Sequence, residues 1–600
     1  MARRHQHPPM QQILERPRNL KWYHAGPLLF GDWGTSRLYV LGLAFYFAGH
    51  ASLFYIGSMA LLVIGVGWSY TIVCRNFPDG GGVYSAAKRT HRTVALVGGL
   101  LLVTNFSVTA ALSGFEAFRY LGLSPQWSVL ATITAILLLG GLNAIGSAKA
   151  GAFALIVAVG SIATTLVLAA FCLPSLPDAQ GMVHLPVGRP REQWMIFVGI
   201  VLALSGVEVV ANMTGIMVQP VRKTAKKTIW PVVAEVTILN IVLGLAMNAI
   251  PNVIENQADH EYRDAMLKVV ADHYIGPGFA IFSSFLFALL LLSAVNTAIL
   301  GLVSIQYAMA RDGELPGPFT KLNRFGVPWI CLLAACVLAC VVVGFTGDLE
   351  TLAELYAIGV IGAISINLGL CTLDRRVDST VFERLGMGLV ALVLVGIELT
   401  IIVTKPHATM FAGSVVVGGL VLRTVAVRVR ARRVPVPVEV VPEVEVVPLL
   451  AQLQQRVGPI KPEAPRIMAA IRGPTRLVDF ALEFAKLKKA TLFMINVREV
   501  AVPPGEQVMV PGLEEDPRAV ELIEKVMAKG EEMGVQVYPI YGVSTDAADV
   551  ILDFALSYNV STLLMGVTRE LAVVRALRGN ILRAIARRLP REIELLIHAA

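Results

Sequence analysis

Residues 28–39 read LLFGDWGTSRLY, and residues 202–212 read LALSGVEVVAN. In each stretch, glycine and one acidic residue, Asp32 or Glu208, interrupt a long run of apolar residues. Glycine weakens a helix by about 1 kcal/mol relative to alanine. A carboxyl group inside a membrane is costly unless it faces a polar cavity. The two stretches therefore predict two interrupted membrane helices whose acids face a polar site.

The composition of the whole chain is that of a membrane protein. Of its 600 residues, 55% are hydrophobic and 16% are charged, whereas soluble proteins have about 25% charged residues. Apolar stretches of about 20 residues recur as far as Leu422 and then stop. This pattern excludes a purely soluble enzyme, a disordered chain and a disulfide-rich secreted domain. The net charge of +8 lies largely beside apolar spans, which favours a membrane topology over nucleic-acid binding.

The apolar stretches and the charges between them predict the membrane topology. Loops rich in lysine and arginine are expected to face the cytoplasm, and an even number of spans places both termini there. The first and sixth spans carry the two interruptions, a separation typical of inverted repeats of five helices. We predict a multi-pass protein of the plasma (inner) membrane with twelve spans: 25–49, 52–74, 94–120, 126–146, 151–173, 193–217, 228–250, 277–309, 327–345, 350–372, 385–404 and 408–427.

The composition changes after the last span, and the chain divides into three parts. Residues 1–430 form the membrane domain, and a linker rich in valine, proline and glutamate covers 431–462. Residues 463–600 alternate strands with helices, which predicts a cytoplasmic α/β domain with a parallel sheet. The predicted strands are 466–471, 491–497, 535–541, 561–566 and 592–598, and the predicted helices are 516–533 and 547–558.

Four runs of sequence resemble a known family of membrane proteins. GDWGTSRLYVL at 31–41 resembles the first-helix signature of the KUP-type potassium uptake transporters, and LYAIGV at 355–360 resembles the same family. FPDGGGVY at 77–84 and AMARDGELP at 308–316 resemble the wider amino acid–polyamine–organocation (APC) superfamily. The resemblance covers about residues 20–430 and implies a LeuT-like fold of two inverted five-helix repeats.

The resemblance to the potassium transporters also implies which residues line an ion path. Two positions differ from that family: Phe106 stands where a tyrosine is usual, and Arg37 stands where a small residue or proline is usual. Both substitutions would change which substrate the site prefers. The implied substrate- and ion-binding residues are Asp32, Tyr39, Thr109, Ser113, Ser205, Glu208 and Tyr356, with Asp32 and Glu208 as the potassium ligands.

Arg37 leaves two interpretations open. An inward-facing guanidinium would compete with a cation and favour an anionic or zwitterionic substrate. A guanidinium that snorkels outward, or that pairs with Asp32 or Glu208, would leave a cation path intact.

The C-terminal domain resembles the universal stress protein fold. That family's nucleotide motif is Gly-x-x-Gly, nine residues, then Gly-Ser/Thr, and its spacing is kept here with substitutions. Arg569 replaces the second glycine, and Arg472 stands where an acidic residue is expected after the first strand. The residues of this nucleotide-site hypothesis are Arg472, Gly566, Arg569, Gly579 and Asn580. A basic face that approaches anionic lipid is the alternative interpretation.

Taken together, these features predict a secondary active transporter and not an enzyme. The sequence carries no hydrolase triad, Walker loop or zinc-ligand spacing, so we expect no bound cofactor. Proton-coupled potassium uptake between the first and sixth spans is the leading hypothesis. An amino acid or amine transporter of the same superfamily, and a membrane-bound nucleotide sensor, are the alternatives. The expected partners are membrane lipid, a small cation or amino acid or amine substrate, a nucleotide regulator of the tail, and a second copy in a homodimer.

Overall fold

Long apolar helices occupy most of the chain up to residue 432. The computed structural model describes residues 18–250, 261–432, 449–500, 512–566 and 581–598, except for 19, 79, 81, 89–91, 147–149, 205, 207, 459, 461–463, 474–475, 545 and 591. Within these residues, ten helical segments are long and apolar enough to cross a membrane. The chain is therefore a multi-pass membrane protein.

The described residues of the membrane domain form seventeen α-helices. In chain order they are α1 Trp22–Trp33, α2 Ser36–Ala48, α3 Ser52–Asn76, α4 Val83–Lys88, α5 Arg92–Tyr120, α6 Pro125–Ala144, α7 Ala150–Cys172, α8 Leu176–Met182, α9 Pro190–Gly199, α10 Val209–Met213, α11 Val221–Ala246, α12 Glu261–Tyr274, α13 Pro277–Arg311, α14 Trp329–Thr346, α15 Leu349–Leu373, α16 Val381–Thr404 and α17 Pro406–Arg432. These helices cover the described part of the predicted twelve spans.

The count of ten differs from the predicted twelve for two structural reasons. The first two predicted spans lie in one segment of 55 residues, Trp22–Asn76. The sixth predicted span is divided into α9, a short 3-10 turn at Val201–Leu204, and α10, and each piece is too short to cross a membrane alone. The count of twelve and the inverted repeat stay predictions, whereas the predicted interruption of the sixth span is present.

The C-terminal region forms the predicted parallel sheet. Its five strands have the order β3-β2-β1-β4-β5, and all four neighbouring pairs are parallel. Alternate residues face opposite sides, so that Ile467 joins one apolar cluster and Met468 another, as expected of a sheet covered on both faces. The strands are β1 Arg466–Ala470, β2 Thr491–Glu499, β3 Val537–Ser544, β4 Thr562–Gly566 and β5 Glu594–His598, and the helices are α18 Leu449–Val457, α19 Arg476–Leu487, α20 Pro517–Met533, α21 Ala547–Ser557 and α22 Ile581–Arg588.

The soluble domain lies against one side of the membrane domain, which we call the tail side. Arg311, at the end of α13, forms an ion pair with Glu515 of the soluble domain. The backbone of Gly326, between α13 and α14, approaches the carbonyl of Glu499 at the end of β2. Val327 and Val500 belong to one apolar cluster that is shared by the two domains. The carboxyl end of β2 therefore meets the membrane domain.

Candidate functional site

The interruption of the first span is short. α1 ends at Trp33 and α2 begins at Ser36. Three side chains bind the carbonyl oxygens at this point: Thr35 Oγ1 donates to Asp32 at 2.6 Å, Ser36 Oγ to Trp33 at 2.7 Å, and Arg37 Nε to Gly34 at 3.1 Å. Each carbonyl oxygen has a second lone pair, so these oxygens keep one acceptor site each.

The interruption of the sixth span is longer, and it packs directly on Asp32. Gly206 has a φ of +89°, a conformation that costs other L-residues roughly 1–2 kcal/mol. A Cβ at Gly206 would lie 2.8 Å from the backbone nitrogen of Trp33 and 2.9 Å from Cβ of Asp32. Only glycine fits this close approach. The candidate Ser205 lies outside the described residues.

The two predicted acids are brought together at these interruptions. Asp32 is 7% exposed and Glu208 is 2% exposed, and the charge of Glu208 acts on Asp32. The Asn105 amide donates to Oε1 of Glu208 at 2.8 Å. The other oxygen of Glu208 has no hydrogen-bond partner among the described residues. One oxygen of this carboxylate is thus left without a side-chain donor among the described residues.

Two further helices complete the centre. Asn105 lies on α5, and Gly359 of α15 packs against its backbone. A Cβ added at Gly359 would lie 2.8 Å from the backbone nitrogen of Asn105. Thr109 lies one turn further along α5 and donates its hydroxyl to the Asn105 carbonyl at 2.8 Å. Buried Tyr356 precedes Gly359 by one turn on α15. Thr109 and Tyr356 are thus within one helical turn of the contact that holds Asn105 against Glu208.

Three candidates lie away from this contact. Buried Ser113 is one turn beyond Thr109 on α5, and buried Tyr39 is on α2, two turns beyond Asp32. The Phe106 ring faces α13, where its carbons lie 3.0 Å from an ideal Cβ at Gly301. Phe106 therefore faces α13, whereas its neighbour Asn105 contacts α15. The polar contact with Glu208 comes from Asn105, a residue that the sequence analysis did not single out. The signal available for Asn105 was an amide in the middle of an apolar span.

Arg37 adopts neither the central pairing nor the outward placement considered from the sequence. Its Nη2 lies 2.5 Å from Oε2 of Glu235 on α11, and its guanidinium lies over the Phe30 ring at 5.5 Å from the centroid. The Arg37 side chain is 1% exposed. Arg37 lies in the first turn of α2, and its long side chain reaches Glu235 of α11 instead of the acid pair. Glu235 lies in the seventh predicted span, and its acidic side chain inside an apolar stretch was the sequence signal for a partner of Arg37.

The acid pair is therefore electrostatically incomplete. Among the described residues, neither Asp32 nor Glu208 has an ion-pair partner, since Arg37 is bound to Glu235. Two buried carboxylates that interact repel one another, and the repulsion is relieved when a proton or a cation binds. The chemistry that this centre supports is the reversible binding of a proton or a positively charged group.

The nucleotide-site hypothesis in the tail is only partly covered by the structure. Arg472, after β1, forms an ion pair with Glu499 at 3.3 Å, and Gly566 ends β4. The other candidates, Arg569, Gly579 and Asn580, lie outside the described residues. The ion pair ties Arg472 to the strand end that meets the membrane domain.

The interrupted helices and their polar centre define a multi-pass secondary transporter. Comparison with known families agrees: the model of the amino acid permease family matches residues 28–417. The chain belongs to this family of the APC superfamily, and is a permease and not an enzyme. The universal stress protein family matches residues 465–593, which identifies the C-terminal domain. No curated protein matches the chain, and the finer resemblance to potassium transporters is not confirmed.

Proposed function

We propose that the protein imports a small cation, with potassium as the first candidate, in a proton-coupled cycle. The supporting observation is the acid pair Asp32 and Glu208, which lies at two facing helix interruptions and has no ion-pair partner in the part of the chain that the structure describes. Potassium in proteins is bound by several oxygens that replace its hydration shell. Carboxylate oxygens and the carbonyl oxygens of the interrupted α1–α2 segment offer that chemistry.

The charge of the centre favours a positively charged substrate over an anion. Arg37 would have been the partner for a substrate carboxylate, but Glu235 already holds it. A substrate anion would therefore meet two buried acids and no free cation among the described residues. Coupling follows from the same arrangement: one acid holds the cation while the other takes up or releases a proton, because binding of either relieves the repulsion.

A second candidate substrate is an amine or amino acid, as family membership suggests. An ammonium group would donate its hydrogens to the same acids. One observation favours an additional acceptor on the substrate: the indole nitrogen of Trp33 is buried and has no hydrogen-bond partner among the described residues. An amino acid would place its carboxylate at this donor and its ammonium group at Glu208.

The C-terminal domain would regulate transport from the cytoplasmic side of the plasma membrane. In parallel sheets of this kind, ligands bind outside the carboxyl ends of the strands, where the strand order reverses. In this domain the reversal lies between β1 and β4, one strand away from the Glu499 end of β2 that meets Gly326. A nucleotide regulator bound there would lie next to the loop between α13 and α14, and could alter how the tail is held.

Growth of a host that lacks potassium uptake, on limiting potassium, tests the proposal. We expect the wild-type chain to rescue growth, and Asp32→Asn and Glu208→Gln to abolish rescue at unchanged membrane expression. Glu521→Gln is the matched control, because it neutralises an exposed acid of α20, which pairs with Lys525 of the same helix, and leaves the acid pair intact. Full rescue by both acid variants would refute the ion-path assignment.

A further inference from the structure

A second buried acid site lies on the side of the membrane domain opposite the tail, which we call the far side. There α12 lies across α2, and Asp264 of α12 is 3% exposed. Asp264 accepts hydrogen bonds from two arginines: Arg119 Nε of α5 at 2.9 Å and Arg263 Nε of α12 at 2.8 Å. The Arg119–Asp264 ion pair therefore fastens α12 to α5. We call it the far-side latch.

Glu116 lies directly behind this latch. It precedes Arg119 by one turn of α5 and is 0% exposed. Neither of its carboxyl oxygens has a hydrogen-bond partner among the described residues. The charges of Asp264, Arg119 and Arg263 all act on it. A carboxylate that is buried without a donor is strongly disfavoured relative to the neutral acid, so this closed arrangement requires Glu116 to carry a proton.

The two acids compete for one arginine. Residues three apart on a helix are neighbours, so Arg119 can pair with Glu116 once α12 moves away and takes Asp264 with it. An ionised Glu116 would then be compensated. Ionised Glu116 and Asp264 therefore compete for the guanidinium of Arg119, and ionisation of Glu116 weakens the latch, although Asp264 keeps its contact with Arg263.

We propose that Glu116 is a proton-binding residue whose protonation allows the far-side latch to close. A proton from the far-side water binds the Glu116 carboxylate, Arg119 is released from it, and Arg119 then pairs with Asp264. Opening reverses the exchange and returns the proton to the water. This inference rests on the proposed proton coupling, and it assigns the residue that links the proton to a movement of α12.

The remaining groups around the site fit this exchange. From α5, Tyr120 donates its hydroxyl to the Leu38 carbonyl of α2 at 2.7 Å, and from α13 the ring of Phe287 packs edge-on against Tyr120. From α2, Tyr46 lies under the Arg263 guanidinium at 5.5 Å. The charge of Glu350, on α15, reaches Arg263. The charged and titratable groups that the described elements bring toward Glu116 are thus Arg119, Arg263, Asp264 and Tyr120, and Arg119 is the cation on its own helix.

A native cysteine reports on the position of α12. Cys172, at the end of α7, is 0% exposed, and it lies in the same apolar cluster as Tyr274 at the end of α12. Labelling of Cys172 by a membrane-impermeant maleimide is read by mass spectrometry of its peptide and divided, at each pH, by the labelling of the denatured chain, because the thiolate that reacts becomes more abundant as the pH rises. This ratio, which we call the labelling of Cys172, measures how often α12 lifts. The measurement uses the full chain in proteoliposomes and needs no transported substrate.

We expect wild-type labelling of Cys172 to rise several-fold between about pH 5 and about pH 8, because ionised Glu116 draws Arg119 away from Asp264. Glu116→Gln keeps a neutral side chain at every pH, so its labelling should stay low and flat. Glu116→Asp should restore the pH dependence. Glu398→Gln, which removes a half-buried acid on α16 whose Oε2 has no hydrogen-bond partner among the described residues, should leave it unchanged.

Wild-type labelling that does not vary with pH, or a Glu116→Gln variant that keeps the wild-type pH profile, would overturn this assignment. A variant that fails to fold is recognised by loss of the monodisperse protein, and the Glu116→Asp variant then decides by keeping or losing the profile. The outcome is separable from the proposed function: a pH profile that depends on Glu116, in a protein that takes up no cation, would support the latch and refute the cation transport.

Discussion

The acids at the two faces of the membrane domain contrast with those at its centre. On the far side, Asp264 holds Arg119 and Arg263. On the tail side, Glu314 is 2% exposed and pairs with Arg92 of α5 and with Arg423 of α17, the latter at 2.6 Å. Each face thus carries a buried acid with two arginines. The central acids, Asp32 and Glu208, have none among the described residues.

This contrast separates structural charge from functional charge. A buried acid that is fully paired by the protein contributes to holding helices together, and breaking such a pair is strongly destabilising. A buried acid left unpaired is retained at a cost in stability, and intramembrane acids of that kind mark pathways for ions or protons. The faces can therefore act as latches, and the centre can receive the cation that the protein does not supply.

Replacement of Arg37 should have the largest effect on stability. Arg37 is the cation nearest in sequence to the central acid Asp32. If it serves Glu235 alone, Arg37→Met should destabilise the protein by about 3–5 kcal/mol, since it leaves Glu235 uncompensated. The double variant Arg37→Met with Glu235→Leu should recover most of this loss. Unfolding of the purified protein in detergent measures both.

Failure of the double variant to recover stability would show that Arg37 stabilises the protein mainly through contacts other than Glu235, such as those with the Gly34 carbonyl and the Phe30 ring. Loss of uptake in a stable double variant would place Arg37 in the substrate path. Either result would weaken the division between centre and faces. Arg384→Met, which removes an arginine bound to Val377 and Ser379 by hydrogen bonds, is the matched control for loss of a guanidinium.

Replacement of the central acids should have a smaller energetic effect than replacement of Arg37. It should lower uptake and change the stability of the fold little. A charge-assisted contact is worth about 1.5–3 kcal/mol, so Asp32→Asn and Glu208→Gln should each lower uptake by roughly ten- to a hundredfold. Because neither acid has an ion-pair partner among the described residues, the unfolding temperatures of the two variants should be equal to or above that of the wild type. A marked loss of stability in either variant would show that the acid is structural.

The far-side closure can be opened without changing any charge. An ideal Cβ on Gly42 of α2 would lie 2.1 Å from the Arg263 carbonyl of α12. Gly42→Ala should therefore push α12 away at a cost of about 1–3 kcal/mol, and raise the labelling of Cys172 at every pH. Gly57→Ala, where no atom lies near the added carbon, is the control. Unchanged labelling in Gly42→Ala would mean that α12 does not cover Cys172.

The tail contact should give the smallest effect. Glu515 is 48% exposed where it meets Arg311, and exposed ion pairs contribute about 0–1 kcal/mol. Glu515→Gln should leave basal uptake within about twofold of the wild type and increase protease cleavage of the linker between α17 and α18. A severe loss of uptake would instead make the tail contact part of the transport machinery.

Much of this architecture could be predicted from the sequence, because hydropathy and helix-breaking residues act locally. The five strands of the tail begin and end within a few residues of their predicted positions, and the interruption at Gly206 and the pairing of Asp32 with Glu208 were expected. The partner of Arg37 could not be predicted, since Glu235 is distant in sequence and only the packing of α11 brings it close. Asn105 and Glu116 were missed for the same reason: a polar residue in an apolar span does not reveal which helix it faces.

Tracer uptake into proteoliposomes tests the central claim most directly. With rubidium as tracer and an inward proton gradient, we expect uptake that excess potassium abolishes, that neutral amino acids leave unchanged, and that Asp32→Asn and Glu208→Gln each lower by roughly ten- to a hundredfold. Uptake of an amino acid that is insensitive to potassium, or rubidium uptake that persists in both acid variants, would contradict the account of the unpaired acids as the cation site.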